Sequence, residues 1–558
     1  MDALTVFADL TPETRARAAL VTERFVWSFE ALARHVAAMA GRFEARGVRA
    51  GDRVALVAAP SPEVFVAIHT LAAMGVTLVP IHPRLTPAEA RVVTEVAAPH
   101  HVLEGSDVTL DEEGALPSIE AAMALGDVIS RRAFEQGRSA DRARDPAPGP
   151  SQGGSPGLAR PAAPAPFAIV STSGTTGRPK GAVLSRRAFL ASAEASAQNL
   201  GWRDDDRWLL NMPLAHVGGL SVLTRCLVAR RAVVLLPRFD VALFLEAIER
   251  HGVTLASVVP TMLRALLDAG QRAPLGRLRA LLVGGAATPP SLLDECAAHG
   301  IAALTTYGLT EVCSQVTTQP PRDPSVRLAG SGPPLPGFEL RIAGEGGAPL
   351  PPLHTGRIQI RGPALFEGYL QPDGSVSAPL TAEGFFDTGD IGELDDRGHL
   401  HVHARRTDLI VTGGENVYPV EVEQALERLP GVRRALVCGV PDERWGQVVA
   451  AVIEREGDRA AFEREGHAAV FEREGHAAVI EREGDVAGPP RGVGADVSLR
   501  ELEVHVAGAL APHKRPRRWA FVDELPLTAS GKVDRKDAAA RYEALLTPGI
   551  RGGAGGAG

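Results

Sequence analysis

The sequence predicts an α/β protein: a large N-terminal domain of layered α/β sheets carrying a small β subdomain, then a small α+β C-terminal domain. Three observations predict it. Helical and strand-like patterns alternate over 29–94 and again over 206–304; short strands between Gly/Pro turns fill 331–403; and a compact α+β pattern follows from about 405. A chain of 558 residues exceeds the size at which one core keeps growing, so at least two domains are expected, and an apolar fraction of 45% is ordinary for a globular protein.

In the first block, 32–46 has apolar residues at helical spacing, 53–57 reads as a strand and 62–75 as a helix again. Residues 138–166 turn rich in Pro, Gly, Ala, Ser and Arg, too poor in apolar surface to offset ordering, and are expected to be a mobile insertion within one continuous block. A buried strand is expected at 167–170, and three more at 232–236, 256–259 and 280–283. Continuous apolar strands separated by helices favour parallel or mixed sheets covered on both faces. Beyond the short strands of 331–403, a helix is expected at 419–429, strands at 435–440 and 447–454, a helix at 499–510 and a strand at 519–522.

An internal repeat interrupts this last region at about 453–498. Ile453, Phe462, Phe471 and Ile480 each begin an apolar-Glu-Arg-Glu-Gly unit with a nine-residue step. That period suits neither a heptad nor most solenoids, so the repeat reads as an expanded coding repeat forming a charged, solvent-exposed excursion, with a partner-binding arm as the alternative. The expected domains are 1–404 and 405–545, followed by a disordered tail at 546–558.

A formal charge of −8 argues against non-specific nucleic-acid binding, and the basic run 513–518 does not reverse that balance. The four cysteines, Cys226, Cys296, Cys313 and Cys438, are scattered without paired spacing, which suggests neither a disulfide framework nor a zinc site. Residues 1–5 lack a basic region leading into an apolar one, and no apolar run approaches a bilayer span, so a cytoplasmic protein is expected. His399, His401 and His403 alternate along one predicted strand face and read as an exposed face rather than a metal site, since no second ligand cluster lies near in sequence.

The chemistry starts at 171–181. Ser171, Thr172, Ser173, Thr175 and Thr176 supply hydroxyls, Gly174, Gly177 and Gly181 permit backbone N–H groups to converge, and Lys180 adds a charge. Such a turn is built to wrap polyphosphate and points to ATP. It lacks both the spacing and the hydroxyl after lysine of a Walker A loop, so it is a different phosphate loop.

Six further segments follow in order: Gly284-Gly285-Ala286, Tyr307-Gly308-Leu309-Thr310-Glu311, Asp387-Thr388-Gly389-Asp390, Arg405-Arg406-Thr407-Asp408, Gly413-Gly414-Glu415-Asn416-Val417-Tyr418-Pro419 and Leu527-Thr528-Ala529-Ser530-Gly531-Lys532. Together with the phosphate loop they resemble the adenylate-forming superfamily of acyl-CoA synthetases, peptide-synthetase adenylation domains and firefly luciferase. The resemblance implies a two-step ligase that uses ATP, Mg²⁺ and coenzyme A, with a small-molecule carboxylic acid as substrate, and leaves the oligomeric state open. It implies that the 171–181 loop holds the β and γ phosphates, that Glu311 following Thr310 binds Mg²⁺, and that Asp390 accepts from the ribose diol with Arg405 beside it. Gly284, Gly285 and Ala286 leave room for adenine, Tyr307 offers a stacking face, and the backbone of Gly308, with Ser314 and Gln315, shapes the pocket floor. Lys532 becomes the catalytic lysine of adenylation. The C-terminal domain becomes a mobile lid that turns about a hinge near Thr407 and brings Gly413 and Gly414 beside the pantetheine channel. Relatives often carry Asp or Lys where Thr407 stands.

Two segments, 212–221 and 307–317, are most similar to the o-succinylbenzoyl-CoA synthetases of menaquinone biosynthesis. There His216 is expected to line the acyl pocket. Ala215 departs from the aromatic residue usual in that branch, and with the 286–288 turn leaves room for another aryl or acyl acid. A stand-alone adenylation domain loading a carrier protein, or a non-catalytic nucleotide-binding scaffold, are the rival readings. Retention of Lys532, Glu311 and Asp390 together argues against the scaffold.

Overall fold

The computed structural model describes residues 3–112, 116–128, 165–172, 179–321, 329–405, 408–412, 415–442, 445–455, 497–528, 532–535 and 538–548. Two large sheets form the N-terminal domain. In the first, of seven strands, Arg53–Val57 lies between Thr77–Ile81 and His101–Leu103, all parallel, and Thr77–Ile81 leads on to Pro166–Thr172. Pro166–Thr172 and Lys180–Ser185 then make an antiparallel hairpin. In the second, of eight strands, Ala303–Leu309, Ala280–Val283, Leu255–Val258, Arg207–Leu210, Ala232–Leu235 and Ala18–Val21 run parallel in that spatial order. All four side chains of Ala280–Val283 are buried, as expected of a parallel strand covered on both faces.

Helices fill the space between and around the sheets. Phe29–Ala45 is capped by Ser28, whose hydroxyl accepts from the Ala31 N–H, and it buries Phe29, Leu32, Val36 and Phe43 in the main core. Among the described residues no helix is long and apolar enough to cross a membrane.

The predicted small β subdomain is a four-stranded antiparallel sheet of Glu339–Ala343, Gly356–Arg361, Phe386–Leu394 and Leu400–Arg405. It does not take all the strands of 331–403. Gly368–Leu370 pairs instead with Lys180–Ser185 and carries Val376–Ser377 with it, extending the seven-stranded sheet. Gly368 makes that excursion possible: its φ is +140°, and a Cβ there would stand 2.6 Å from the Ser377 carbonyl oxygen.

From Ile410 onward a second domain forms around a six-stranded sheet that includes Val432–Asp442, Gly446–Arg455 and Arg518–Val522. Helices Pro419–Leu426 and Leu499–Ala509 bury Val422, Leu426, Leu502 and Val506 against Val437, Ile453 and Trp519 of that sheet. Three sequence boundaries move. Ile453 is fully buried in the strand that runs to Arg455, and Ser498 caps the next helix reciprocally with Glu501, so the insertion is shorter than 453–498; residues 456–496 lie outside the described residues. Leu546 is buried in the small domain's core and Thr547 pairs with Trp519, so 546–548 belong to that domain rather than to a tail, while 549–558 lie outside the described residues. Likewise Pro166 begins a strand, and 138–164 lie outside the described residues.

Candidate active site

A cleft of about 2590 Å³ opens between the two domains, lined from the large one by Lys180, His216, Tyr307 and Asp390 and from the small one by Lys532 and Arg535. The corner expected to bind phosphate is built by the hairpin, where Ser171 faces Gly181 and Thr172 faces Lys180 across the strands. Ser173, Gly174, Thr175, Thr176 and Gly177, which follow Thr172 in sequence, lie outside the described residues. Lys180 reaches over the Tyr369 ring, its Nζ 5.0 Å from the centroid.

Thr310 and Glu311 form a single 3₁₀ turn at the end of Ala303–Leu309, closed by Cys313 in the left-handed region at φ +57°. The Glu311 carbonyl oxygen accepts from the Phe366 N–H at 2.8 Å. Its carboxylate Oε1 accepts from the Tyr369 hydroxyl at 2.7 Å. One carboxylate already oriented, with the Thr310 and Thr172 hydroxyls lining the same cleft, is an all-oxygen donor set that fits Mg²⁺.

The corner expected to take adenosine is shaped by missing side chains. A Cβ on Gly284 would lie 2.6 Å from Thr306 Cγ2, and one on Gly308 would lie 1.7 Å from the Ser314 carbonyl oxygen, so Gly308 admits only glycine. Ala286 lines the cleft beside them. The Tyr307 hydroxyl donates to Asp390 Oδ2 at 2.6 Å. Asp390 is only 6% exposed, and its N–H is held by Thr388 Oγ1 at 3.1 Å. The preceding Asp387 accepts from the Gly389 N–H and from Arg357, which fixes the turn. Arg405 pairs with Asp390 through the backbone; its side chain lies outside the described residues.

His216, expected to line the acyl pocket, sits at the head of helix Val217–Ala229 and lines the cleft, its ring 5.5 Å from that of His82. Burial, then the charges of His82 and Lys532, lower its pKa to about 4, so it is neutral at pH 7. Along the same helix, Gly218, Ser221 and Arg225 line the cleft. Arg225 is 3% exposed and stands 5.3 Å from the centre of the Trp208 ring. Its Nε and Nη2 have no hydrogen-bond partner. Burial lowers its pKa to about 10, which leaves it charged at neutral pH. Sequence reading missed Arg225, Tyr369 and His82. The spacing of Gly218, Ser221 and Arg225, three and then four residues apart, was the available signal, because it puts small and polar residues on one stripe of an otherwise apolar helix.

Lys532 arrives from the small domain on a turn in which Thr528 N–H donates to the Lys532 carbonyl at 2.7 Å and Lys532 N–H donates to Thr528 Oγ1 at 3.2 Å. Its Cε lies 3.1 Å from where a Gly285 Cβ would stand, with Nζ at 3.6 Å. The lysine therefore reaches across the cleft into the large domain. Gly413, Gly414 and Thr407 lie outside the described residues. The three alternating histidines face carboxylates: His401 meets Asp395 at 3.3 Å and His403 meets Glu393 at 3.4 Å, while His399 stands 4.0 Å from Asp395.

Comparison with known proteins identifies the family. The family described as AMP-binding enzyme matches residues 7–370, and its C-terminal domain matches 421–489 and 476–532. The 2-succinylbenzoate–CoA ligase of Bacillus pumilus is 33% identical over 533 residues, covering 95% of each chain. The o-succinylbenzoate CoA synthetase of Bacillus subtilis, solved with the acyl-adenylate OSB-AMP, superposes with a TM-score of 0.73 at 30% identity over 96% of this chain and 98% of that one. Its complex with ATP and magnesium gives the same score and identity over 97% and 99%. ATP-bound MatB of Rhodopseudomonas palustris superposes with a TM-score of 0.75 at 28% identity, over 97% of this chain and 99% of that one. With a family match across most of its length and full-length relatives above 30% identity, the chain belongs to the AMP-binding enzyme family and is an adenylate-forming CoA ligase.

Proposed function

We propose that this ligase joins 2-succinylbenzoate to coenzyme A, the step used in menaquinone biosynthesis, and that it works in the cytoplasm. The observation that carries the choice of acid is Arg225. A buried guanidinium with two unpartnered nitrogens costs several kcal/mol unless an anion meets it, by the order-of-magnitude cost of about 3–5 kcal/mol for an uncompensated buried charge. A dianionic keto acid brings a second carboxylate to that position while its reacting carboxylate faces the phosphate corner. The names of the Bacillus relatives support the same reading.

In the first step a carboxylate oxygen attacks the α-phosphorus of ATP, the bond to the β-phosphate bridging oxygen breaks, and pyrophosphate leaves. Negative charge grows on the α-phosphate oxygens, and the Lys532 ammonium neutralises it without transferring a proton. Lys180, Thr172 and the segment from Ser173 to Gly177 hold the leaving phosphates. Glu311, with Thr310, holds Mg²⁺, which when bound screens phosphate charge. Asp390, oriented by Tyr307 and flanked by Arg405, accepts from the ribose, and Gly284, Gly285 and Ala286 leave a slot for the base. His216, neutral at working pH, forms a wall of the acyl pocket above the floor made by Gly308. In the second step the CoA thiol attacks the acyl carbonyl and AMP leaves. Residues from about 405 onward turn as a unit for this step, withdrawing Lys532 and advancing Gly413 and Gly414.

The test is a panel of carboxylic acids scored both for pyrophosphate release and for CoA thioester by mass spectrometry. Preference for 2-succinylbenzoate, with free CoA consumed, is the expected result. Preference for a monocarboxylate overturns the assignment of the acid, and pyrophosphate release without CoA consumption overturns CoA as acceptor.

A further inference from the structure

Tyr369 stands where two parts of the phosphate corner meet. Its strand, Gly368–Leu370, pairs with Lys180–Ser185 so that Tyr369 is opposite Ala182, which puts Lys180 in the diagonal position on the same face. Its hydroxyl donates to Glu311 at 2.7 Å, while its ring lies under the Lys180 ammonium at 5.0 Å. Phe366 packs edge-on against that ring, centroids 4.9 Å apart, and the Phe366 N–H binds the Glu311 carbonyl oxygen. Among the described residues no ion pair joins Lys180 to Glu311, although both charges contact the same side chain.

That arrangement answers a problem intrinsic to the corner. A lysine and a glutamate left within reach would neutralise each other, and each would then have to be separated before binding phosphate or metal. A tyrosine that engages the carboxylate through its hydroxyl and the ammonium through its ring keeps both apart and aimed. Engaging Oε1 also fixes the glutamate rotamer and leaves Oε2 for a cation. We propose that Tyr369 is a positioning residue that holds Glu311 ready for the metal and Lys180 ready for phosphate. The proposal rests on the reading of Glu311 as the Mg²⁺ carboxylate.

The experiment is equilibrium binding of ATP by calorimetry, without acid or CoA, in excess magnesium and again in excess EDTA. Wild type, Tyr369→Phe, Glu311→Gln and the double variant are compared, with thermal midpoints checked for each. Tyr369→Phe keeps the ring and should weaken binding about 10-fold in magnesium but less than about 2-fold in EDTA, the scale of one hydrogen bond to a charged group. The double variant should bind no more weakly than Glu311→Gln, because the proposed action of the hydroxyl runs through that carboxylate. Tyr369→Leu, lacking the ring, should also lose about 3-fold in EDTA, the scale of one cation–π contact. If Glu311→Gln loses the magnesium dependence while Tyr369→Phe binds like wild type, the proposal is wrong and the metal reading stands. If wild type itself shows no magnesium dependence, the metal reading falls and the proposal with it.

Discussion

The Tyr307 hydroxyl donates to Asp390 Oδ2 at 2.6 Å, so the ring proposed to face adenine also orients the carboxylate proposed to grip the ribose. The two residues come from different sheets, Ala303–Leu309 of the eight-stranded one and Phe386–Leu394 of the small antiparallel one. Their bond fastens the small antiparallel sheet to the eight-stranded one. Tyr307→Phe keeps the ring and removes this one bond to Asp390. The KM for ATP should rise about 5- to 20-fold with kcat within about 2-fold, as for loss of a charge-assisted hydrogen bond that acts on ground state and transition state alike. Initial-rate kinetics at varied ATP check it; an equal fall in kcat would place the hydroxyl in the chemical step.

Arg225 supplies the test of acid recognition. Arg225→Gln should raise the KM for 2-succinylbenzoate by about 100-fold or more, the scale of a lost buried charge pair, and leave an analogue lacking the ring carboxylate within about 3-fold. Paired kinetics with the two acids read out the difference. Equal losses on both would make Arg225 a structural residue of the helix.

Gly285 and Gly414 should separate the two half-reactions. At Gly285 the backbone is left-handed, φ +81°, and the Lys532 stem lies 3.1 Å from the absent Cβ. Gly285→Ala should slow adenylation about 10-fold through backbone strain and displacement of Lys532, and spare thioester formation from supplied acyl-adenylate. Gly414→Trp should do the reverse. Single-turnover assays of each step decide it, and matching losses in both variants would contradict a two-position lid.

Acid should destabilise the fold. Burial, reinforced by Arg230, lowers the His69 pKa to about 3, and burial with His82 and Lys532 lowers that of His216 to about 4. Below pH 6.5 the unfolded chain takes up protons that the folded chain refuses, so the unfolded state binds more protons and stability falls as pH falls. By pH 5 each histidine accounts for about 2 kcal/mol. Urea unfolding at pH 7 and pH 5 should show this loss, and His69→Met should reduce it by about 2 kcal/mol. An unchanged difference in the variant would mean that His69 is not the group responsible.

Much of the architecture was readable from the chain because its strands are local apolar runs. Arg53–Val57 and Ala280–Val283 were expected at those residues since parallel strands covered on both faces carry little else. The pairing of Gly368–Leu370 with Lys180–Ser185 was not readable, because a three-residue strand carries no mark of a partner far away in sequence. The same non-locality hid Tyr369, whose function depends on Glu311 and Lys180 arriving from two other segments. Arg225 was hidden for a different reason: an arginine on a helix is ordinarily solvated, and only the packing of Trp208 and the helix against the sheet shows that this one is buried. By contrast, Tyr307, Glu311, Asp390 and Lys532 were all singled out in the sequence, and the fold gathers them in one cleft.

The central claim is that the Lys532 ammonium, carried by the small domain, stabilises the charge formed as an acid attacks ATP bound to the large one. Single-turnover pyrophosphate release with 2-succinylbenzoate, ATP and magnesium tests it most directly. Lys532→Ala should slow that release by about 10²–10³-fold, the scale of a lost preorganised electrostatic contact, while converting supplied acyl-adenylate to thioester at near the wild-type rate. Undiminished pyrophosphate release from the variant, or none from the wild type with any acid, would contradict the claim.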